Sequence, residues 1–394
     1  MYEPLFVIPY TLFTTYASVY MLRLGVSETQ IGLIASLGLA MQIFSSAISG
    51  HATDRLGRRR ALITFDLISW SVGTLIWTVS QNFWFFLAAA AVNSLQRIPN
   101  TAWYCILVED TEPRDRPAVF TALQWIGVAS GLFAPVGGLL IHQLAFVPAV
   151  RAMYALAFAG MTAMFFLRNR ALHETDIGRR KMREAARMDY RRTGRQYLAL
   201  LRGIAADHRL ALVFAVYILN NFQAVVSITY LSVYQVAGLH IPPAWIALFP
   251  AAASAAVLAL MAAVLPRLRA DRLLQNIAAG FAVSLAANAL LIAAPPRDIP
   301  WLVACSILSA AGAVVAGPFL EALMANSLQD EERATQLSVL NVLILLFTSP
   351  AGIVGGWAYS ADPRLPFALI AASFALGIAL LWILARRAGR CREA

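Results

Sequence analysis

The chain alternates between long apolar runs and short polar stretches along most of its length. A helix of about 20 apolar residues spans a bilayer, and only helices or closed barrels can do so because lipid offers the backbone no hydrogen-bonding partner. Twelve runs of this kind predict twelve transmembrane helices in an all-α membrane protein. The predicted spans are 2–22, 29–49, 61–80, 83–108, 117–141, 147–167, 209–236, 243–265, 273–294, 299–325, 335–358 and 364–387.

One polar stretch, at about 168–208, is much longer than the others and is rich in arginine. It divides the chain into six predicted helices on each side. The sequence Asp54-Arg55-Leu56 of the first half recurs as Asp271-Arg272-Leu273 at the matching place in the second. We therefore predict two pseudo-symmetric six-helix bundles. Their predicted bounds are 1–168 and 209–394, with a cytoplasmic linker at 169–208.

Composition supports a membrane protein and limits the other classes. Apolar residues make up 60% of the chain, charged residues 13%, and mean hydropathy is +0.67, whereas soluble domains average about 25% charged residues. The net charge of +10 comes mostly from loops on one side, which predicts that these loops and both termini are cytoplasmic. The basic charge then reflects topology and lipid contact rather than nucleic-acid binding.

The segment 50–62, between the second and third runs, is short and strongly charged. Two glycines in it, Gly50 and Gly57, are expected to let the backbone approach closely and turn. The pattern Gly-x-x-x-Asp-Arg-x-Gly-Arg-Arg is formed by Gly50, Asp54, Arg55, Gly57, Arg58 and Arg59. This pattern resembles the signature loop of the major facilitator superfamily, although an ordinary basic loop placed by the positive-inside rule is the alternative.

The resemblance implies a gating function for this loop. It implies that Arg58 pairs with an acid at the cytoplasmic end of helix four, which this sequence supplies at Glu109 or Asp110. It also implies that Asp54 lies at the N-terminus of helix eleven, where the helix dipole favours an anion. These contacts would latch the two halves on the cytoplasmic side. Arg59 is expected to be a solvated topology charge.

Helix four carries a polar stripe. Its members are spaced i, i+4, i+7 and i+11, which places them on one helical face. They are Asn93, Arg97, Asn100 and Tyr104. A charge in the middle of a membrane helix is expensive and functional by default, and the resemblance implies that helices one, four, seven and ten line a substrate cavity. Arg97 is therefore a predicted substrate ligand, with a structural ion pair to Asp66 or another buried acid as the alternative.

Other predicted substrate ligands lie on helices one, four and seven. They are Tyr10, Trp103, Tyr217, Asn220 and Asn221. Amides in membrane helices also serve to hold helices together, so the helix-seven cluster has that second interpretation.

Three acids are predicted to couple transport to protons: Glu3, Asp66 and Glu321. Burial favours the neutral form of a carboxyl group, which suits a proton carrier. Each acid has a plainer alternative. Glu3 can be an interfacial charge, Asp66 a structural partner for arginines, and Glu321 a structural acid near the helix end.

These features predict a secondary transporter that works by alternating access, coupled to the proton gradient, in a bacterial inner membrane. We expect a monomer, with no cofactor and no ATP-binding motif. The predicted substrates are exported amphiphilic, drug-like compounds; uptake of a sugar or organic acid is the alternative. Drug exporters of the superfamily carry Gly-Pro-x-x-Gly-Gly in helix five, where this chain has Ala134-Pro135-Val136-Gly137-Gly138. A membrane enzyme or a transporter-derived receptor is a remote third possibility.

Overall fold

The structure is a computed structural model, and it describes residues 2–112, 114–184, 208–269, 272–327 and 333–390. These residues are helical, with turns and short connections between the helices and no strand among them. The predicted all-α membrane fold is confirmed. The described residues group into two compact units. The first holds those up to 184 together with Pro243–Ala247, and the second holds the others.

The helices of the first unit begin at the N-terminus and end just after the sixth apolar run. They are α1 (Pro4–Thr14), α2 (Ala17–Arg23), α3 (Glu28–Leu56), α4 (Arg58–Asp66), α5 (Gly73–Val79), α6 (Phe83–Asn93), α7 (Arg97–Glu109), α8 (Arg116–Ser130), α9 (Ala134–Leu144), α10 (Phe146–Ala171) and α11 (Asp176–Glu184). A π-helix, Leu67–Val72, joins α4 to α5. Short 3₁₀ turns join α6 to α7 at Ser94–Gln96 and α8 to α9 at Gly131–Phe133.

The helices of the second unit follow the same plan. They are α12 (His208–Val233), α13 (Leu248–Ala263), α14 (Leu273–Ile292), α15 (Ile299–Asn326), α16 (Arg333–Thr348), α17 (Ala351–Ala361) and α18 (Leu365–Arg390). A second π-helix, Tyr234–Gly238, continues α12. The predicted linker 169–208 lies partly outside the described residues, and its described part contains α11, which groups with the first unit.

Each of the twelve predicted runs is helical where the structure describes it. Among the described residues, ten helical stretches are long and apolar enough to cross a membrane unaided. An eleventh is the pair α1 and α2, which is bent by 44° at Thr15–Tyr16. The run predicted at 83–108 is divided by the 3₁₀ turn between α6 and α7.

The signature segment is helical over most of its length. Helix α3 runs to Leu56, so Gly50, Asp54 and Arg55 lie in its last two turns. The helix ends at Gly57, whose φ of +85° favours glycine. A Cβ on Gly57 would lie 2.7 Å from Oε2 of Glu174, whereas one on Gly50 would meet nothing within 4 Å. Gly57 thus makes the expected turn, but the atoms close to it belong to side chains rather than to another backbone, and Gly50 shows neither feature.

Small residues let helices α14 and α15 of the second unit pack closely. A Cβ on Gly280 would lie 2.7 Å from the carbonyl oxygen of Gly312 and equally close to Ala316. Membrane helices associate through such small-residue contacts because burial from lipid gives little hydrophobic gain.

Candidate functional site

Arg58 lies between two carboxylates, and we call Asp54, Arg58 and Glu109 the loop trio. Its Nη1 donates to Oδ1 of Asp54 at 2.6 Å, and its Nη2 lies 3.3 Å from Oε1 of Glu109. The Arg58 side chain is only 5% exposed. Of the two acids expected at the end of helix four, the structure brings Glu109 to Arg58. Asp110 instead lies 3.8 Å from Nε2 of His173.

The chain that follows α10 covers the loop trio. The Glu174 carboxylate accepts from the backbone N–H groups of Arg58 at 2.9 Å and Arg59 at 3.0 Å. These are orphan donors at the start of α4, where the helix dipole also favours an anion. The Thr175 hydroxyl donates to Oε2 of Glu109. Segment 172–184 is thereby fastened to the signature segment.

Two other arginines of the signature segment have different surroundings. Arg59 donates from Nε and Nη2 to the backbone carbonyl of Asn169, at 3.0 and 2.7 Å. The expectation that Arg59 is a solvated charge is therefore wrong, because it binds the C-terminal turn of α10, where carbonyl groups lack helical partners. Arg55 is exposed in the last turn of α3.

A second arginine also lies between two carboxylates, and we call Glu3, Asp66 and Arg168 the deep trio. Nη2 of Arg168 donates to Oδ2 of Asp66, and its Nη1 lies 3.7 Å from Oε1 of Glu3. Asp66 thus pairs with Arg168 and not with Arg97. The trio is buried, with side-chain exposures of 17%, 8% and 10%.

Aromatic rings cover the Arg168 guanidinium. Its carbon lies 4.7 Å from the centre of the Trp103 ring and 5.6 Å from that of Phe165. Both distances suit a cation–π contact. Trp103, predicted as a substrate platform, is therefore placed against the deep trio.

The polar stripe of helix four is split by the 3₁₀ turn. Such a turn winds tighter than an α-helix, so three residues of it rotate the helix by roughly 60° more. Asn93 donates to the carbonyl of Ser69 on the π-helix, whereas Nε of Arg97 donates to Gln42 of α3 at 2.8 Å. Asn100 is exposed. Asn93 is thus separated from the other stripe residues, which lie together on α7.

A cavity of about 250 Å³ lies inside the first unit. Two of the predicted substrate ligands, Tyr10 and Asn93, line it. Its other lining residues are Phe13, Thr14, Ala17, Met21, Ile34, Trp70, Trp77, Phe86, Ala90, Gln96 and Tyr154. Arg97, Asn100 and Trp103 are outside this lining.

In the second unit, one predicted coupling acid meets the predicted helix-seven cluster. The Tyr217 hydroxyl donates to Oε1 of Glu321 at 2.8 Å, joining α12 to α15. The amide of Asn221 donates to the carbonyl of Tyr217, and the carbonyl of Asn220 accepts from Gln223. The two asparagines therefore have local contacts within α12.

Comparison with known proteins assigns the family. The sequence profile of the Major Facilitator Superfamily matches residues 5–346. This chain belongs to the Major Facilitator Superfamily. As a member of this superfamily, it is a membrane transporter of small molecules and not an enzyme.

Relatives and solved structures agree with the superfamily assignment. The chain is 30% identical over 148 residues to the multidrug resistance protein MdtG of Serratia proteamaculans, a match that spans 35% of each protein. The fold is similar to that of a mutant nucleoside transporter NupG, with a TM-score of 0.74, 12% identity and coverage of 97% of this chain and 99% of that chain. It is also similar to the human organic anion transporter MFSD10, with a TM-score of 0.64, 18% identity and coverage of 96% and 97%.

The sequence did not predict three residues that belong to or contact the two trios of this superfamily member. Arg168 ends an apolar run, where a basic residue is ordinarily a topology charge. Glu174 and Thr175 lie in a polar stretch without a recognisable motif. The one signal for the latter pair is a Thr before a charged helix start, the pattern of an N-cap, and Thr175 does cap α11 at Gly178.

Proposed function

We propose that this protein is a proton-coupled secondary transporter that exports amphiphilic compounds by alternating access. The observation that carries the coupling is the deep trio. It brings together two carboxylates and one guanidinium, with Glu3 just before α1, Asp66 at the end of α4 and Arg168 in the last turn of α10.

The charge balance of the deep trio suits a proton site. With both acids ionised the trio has one negative charge in excess, and an uncompensated charge in a membrane span is expensive. One bound proton removes the excess, while Arg168 keeps a partner. We assign this proton to the Glu3–Asp66 pair, since both carboxylates face the same guanidinium.

Substrate class and direction rest on other observations. The relative MdtG is named a multidrug resistance protein, which favours export of amphiphiles. The aromatic lining of the cavity in the first unit fits such compounds, since apolar and aromatic side chains dominate most ligand pockets.

The loop trio supports a gate in the same mechanism. Its members lie at the end of α3, the start of α4 and the end of α7, which supports a position at one membrane surface, and the basic loops on that side favour the cytoplasm. In this proposal the trio latches the cytoplasmic side, both termini are cytoplasmic, and the protein acts as a monomer in the inner membrane.

One observation favours a second candidate, uptake of a small anionic metabolite. Arg97 donates to the neutral amide of Gln42, and within the described residues it has no ion pair. A guanidinium without a carboxylate partner is suited to bind a carboxylate or phosphate of a substrate.

Transport in liposomes tests the first candidate. Purified protein is reconstituted with a pH-sensitive dye inside, and ethidium, an amphiphilic cation, is applied as a gradient. We expect ethidium movement to drive protons the opposite way, and Asp66→Asn to abolish the proton signal because it removes one acid of the deep trio. The matched control is Asp176→Asn, since that side chain is 99% exposed, and it should move protons at the wild-type rate.

Two results would overturn the proposal. One is proton movement by Asp66→Asn at the wild-type rate; the other is ethidium transport without protons. Galacturonate, an anionic sugar, replaces ethidium to test uptake. Accumulation that is lost in Arg97→Gln would favour the second candidate.

A further inference from the structure

The cavity in the first unit is partly open, and it has more room than the small voids that remain between packed side chains. Its volume is about 250 Å³. An apolar cavity of about 150 Å³ is enough to bind benzene. The space in this protein therefore suits a ligand of one or two fused rings.

Aromatic side chains form one wall of this cavity at ring-contact distances. The ring centres of Phe13 and Tyr154 lie 4.6 Å apart, and those of Trp77 and Tyr154 lie 5.7 Å apart. Tyr10 and Trp70 meet edge to face at 5.7 Å. Aromatic rings attract one another in offset or edge-to-face geometry, so this wall favours a flat aromatic guest over a puckered aliphatic one.

A pair of amides forms the polar end of the cavity. Nδ2 of Asn93 donates to the carbonyl of Ser69 at 3.1 Å, and Nε2 of Gln96 donates to Oδ1 of Asn93 at 3.0 Å. Within the described residues, no group donates a hydrogen bond to the side-chain oxygen Oε1 of Gln96. Since none of the described lining residues is charged, a ligand N–H or O–H group meets neutral acceptors there, among them Oε1 of Gln96.

Three of the helices around the cavity are irregular where they line it. The α1–α2 bend of 44° lies between Thr14 and Ala17, the π-helix carries Trp70, and the 3₁₀ turn carries Gln96. A π-helix is rare and occurs frequently at functional sites. Three irregularities around one cavity indicate a wall that is shaped for an occupant.

We infer that this cavity is a binding site for a flat, neutral aromatic ring system that carries one hydrogen-bond donor. The ring lies against Phe13, Trp70, Trp77 and Tyr154, and its donor binds the carbonyl oxygen of Gln96. The link from this binding to transport rests on the proposed export function, whereas binding itself can be measured without transport.

Equilibrium binding of 2-naphthol tests the site. Purified protein in lipid nanodiscs is titrated with radiolabelled 2-naphthol, and empty nanodiscs correct for partition into lipid. Decahydro-2-naphthol, which has the same hydroxyl on a puckered skeleton, should compete about tenfold more weakly or worse. Naphthalene, which lacks the donor, should also compete more weakly.

Two substitutions fill the space from two different helices. Ala90→Leu on α6 and Ala17→Leu on α2 should each weaken 2-naphthol binding about tenfold or more, because the ring and the added side chain cannot share the volume. Ala88→Leu is the matched control on α6, since Ala88 is exposed, and it should bind normally. Gln96→Leu should remove the preference for 2-naphthol over naphthalene. Thermal unfolding of each variant shows whether it is folded.

Undiminished binding in folded Ala90→Leu or Ala17→Leu would overturn the assignment, as would equal affinity for the flat and puckered alcohols. Proton movement in liposomes is read separately. If 2-naphthol does not bind but protons still move, only the assignment of this cavity is wrong. If 2-naphthol binds but protons do not move, only the proposed export function is wrong.

Discussion

The deep trio and the loop trio have the same charges in different surroundings. In each, one arginine lies between two carboxylates. The deep trio is Glu3, Arg168 and Asp66, and the loop trio is Asp54, Arg58 and Glu109. The number of charges therefore cannot separate a proton site from a gate, and the neighbours of each trio must do so.

The neighbours differ in polarity. Around the loop trio, Thr175 donates to Glu109, and the Asp54 side chain is 26% exposed, so both carboxylates have partners besides Arg58. Around the deep trio, Trp103 and Phe165 cover Arg168. An excess charge is tolerated more readily near water and polar donors than beside aromatic rings. We therefore expect the loop trio to act as a structural contact and the deep trio to be the proton site.

The largest stability effect is expected from Arg168→Met. This change leaves Asp66 and Glu3 buried without their cation, and breaking a buried ion pair by removing one partner costs about 3–5 kcal/mol. Thermal unfolding of the purified protein measures the loss. The double variant Asp66→Asn/Arg168→Met should recover most of it, because one uncompensated carboxylate is gone. If Arg168→Met alone is as stable as wild type, then loss of the cation does not leave an unfavourable buried charge on Asp66 and Glu3.

Arg58→Gln should have an intermediate effect, about 1–3 kcal/mol. Glu109 keeps the Thr175 hydroxyl as a donor and Asp54 keeps its contact with water, so less charge is stranded. Thermal unfolding compares the two arginine variants directly. Equal losses for Arg58→Gln and Arg168→Met would remove the distinction between the trios. In liposomes, Arg58→Gln should also impair transport if the loop trio is a gate.

Glu174→Ala should cost about 0.5–2 kcal/mol, in the range of a lost helix cap. Its carboxylate accepts from two backbone N–H groups at the start of α4, and alanine leaves them without that partner. Glu174→Gln keeps an oxygen acceptor and should lose less. Hydrogen exchange at Arg58 and Arg59 measures the effect locally, and unchanged exchange in Glu174→Ala would show that the cap does not protect them.

The two trios also show which features of the molecule can be predicted from the sequence. The apolar runs predict the fold because a membrane restricts the backbone to a few solutions. The signature motif, with its resemblance to a known family, predicts an acid for Arg58 within two adjacent positions. Neither source predicts the partner of Asp66, because Arg168 is 102 residues away and looks like any basic residue at the end of a span.

The sequence does not predict the cavity in the first unit, for a different reason. Periodicity arguments assume a regular helix, and three helices around the cavity depart from it at the residues that line it. The bend, the π-helix and the 3₁₀ turn depend on tertiary packing rather than on local preference. The residues that flank them therefore do not predict them.

A third arginine, Arg114, has a similar arrangement of charges at the surface, and its contribution to stability should be the smallest of the three. Nε of Arg114 lies 3.0 Å from Oε2 of Glu112 and 3.8 Å from Oδ2 of Asp115, so it too lies between two carboxylates. Its side chain is 78% exposed, and water and salt screen such pairs. Arg114→Ala should therefore change the unfolding free energy by less than about 0.5 kcal/mol. Thermal unfolding at low and high salt checks this expectation. A loss comparable to that of Arg58→Gln would mean that charge arrangement, rather than burial, governs all three clusters.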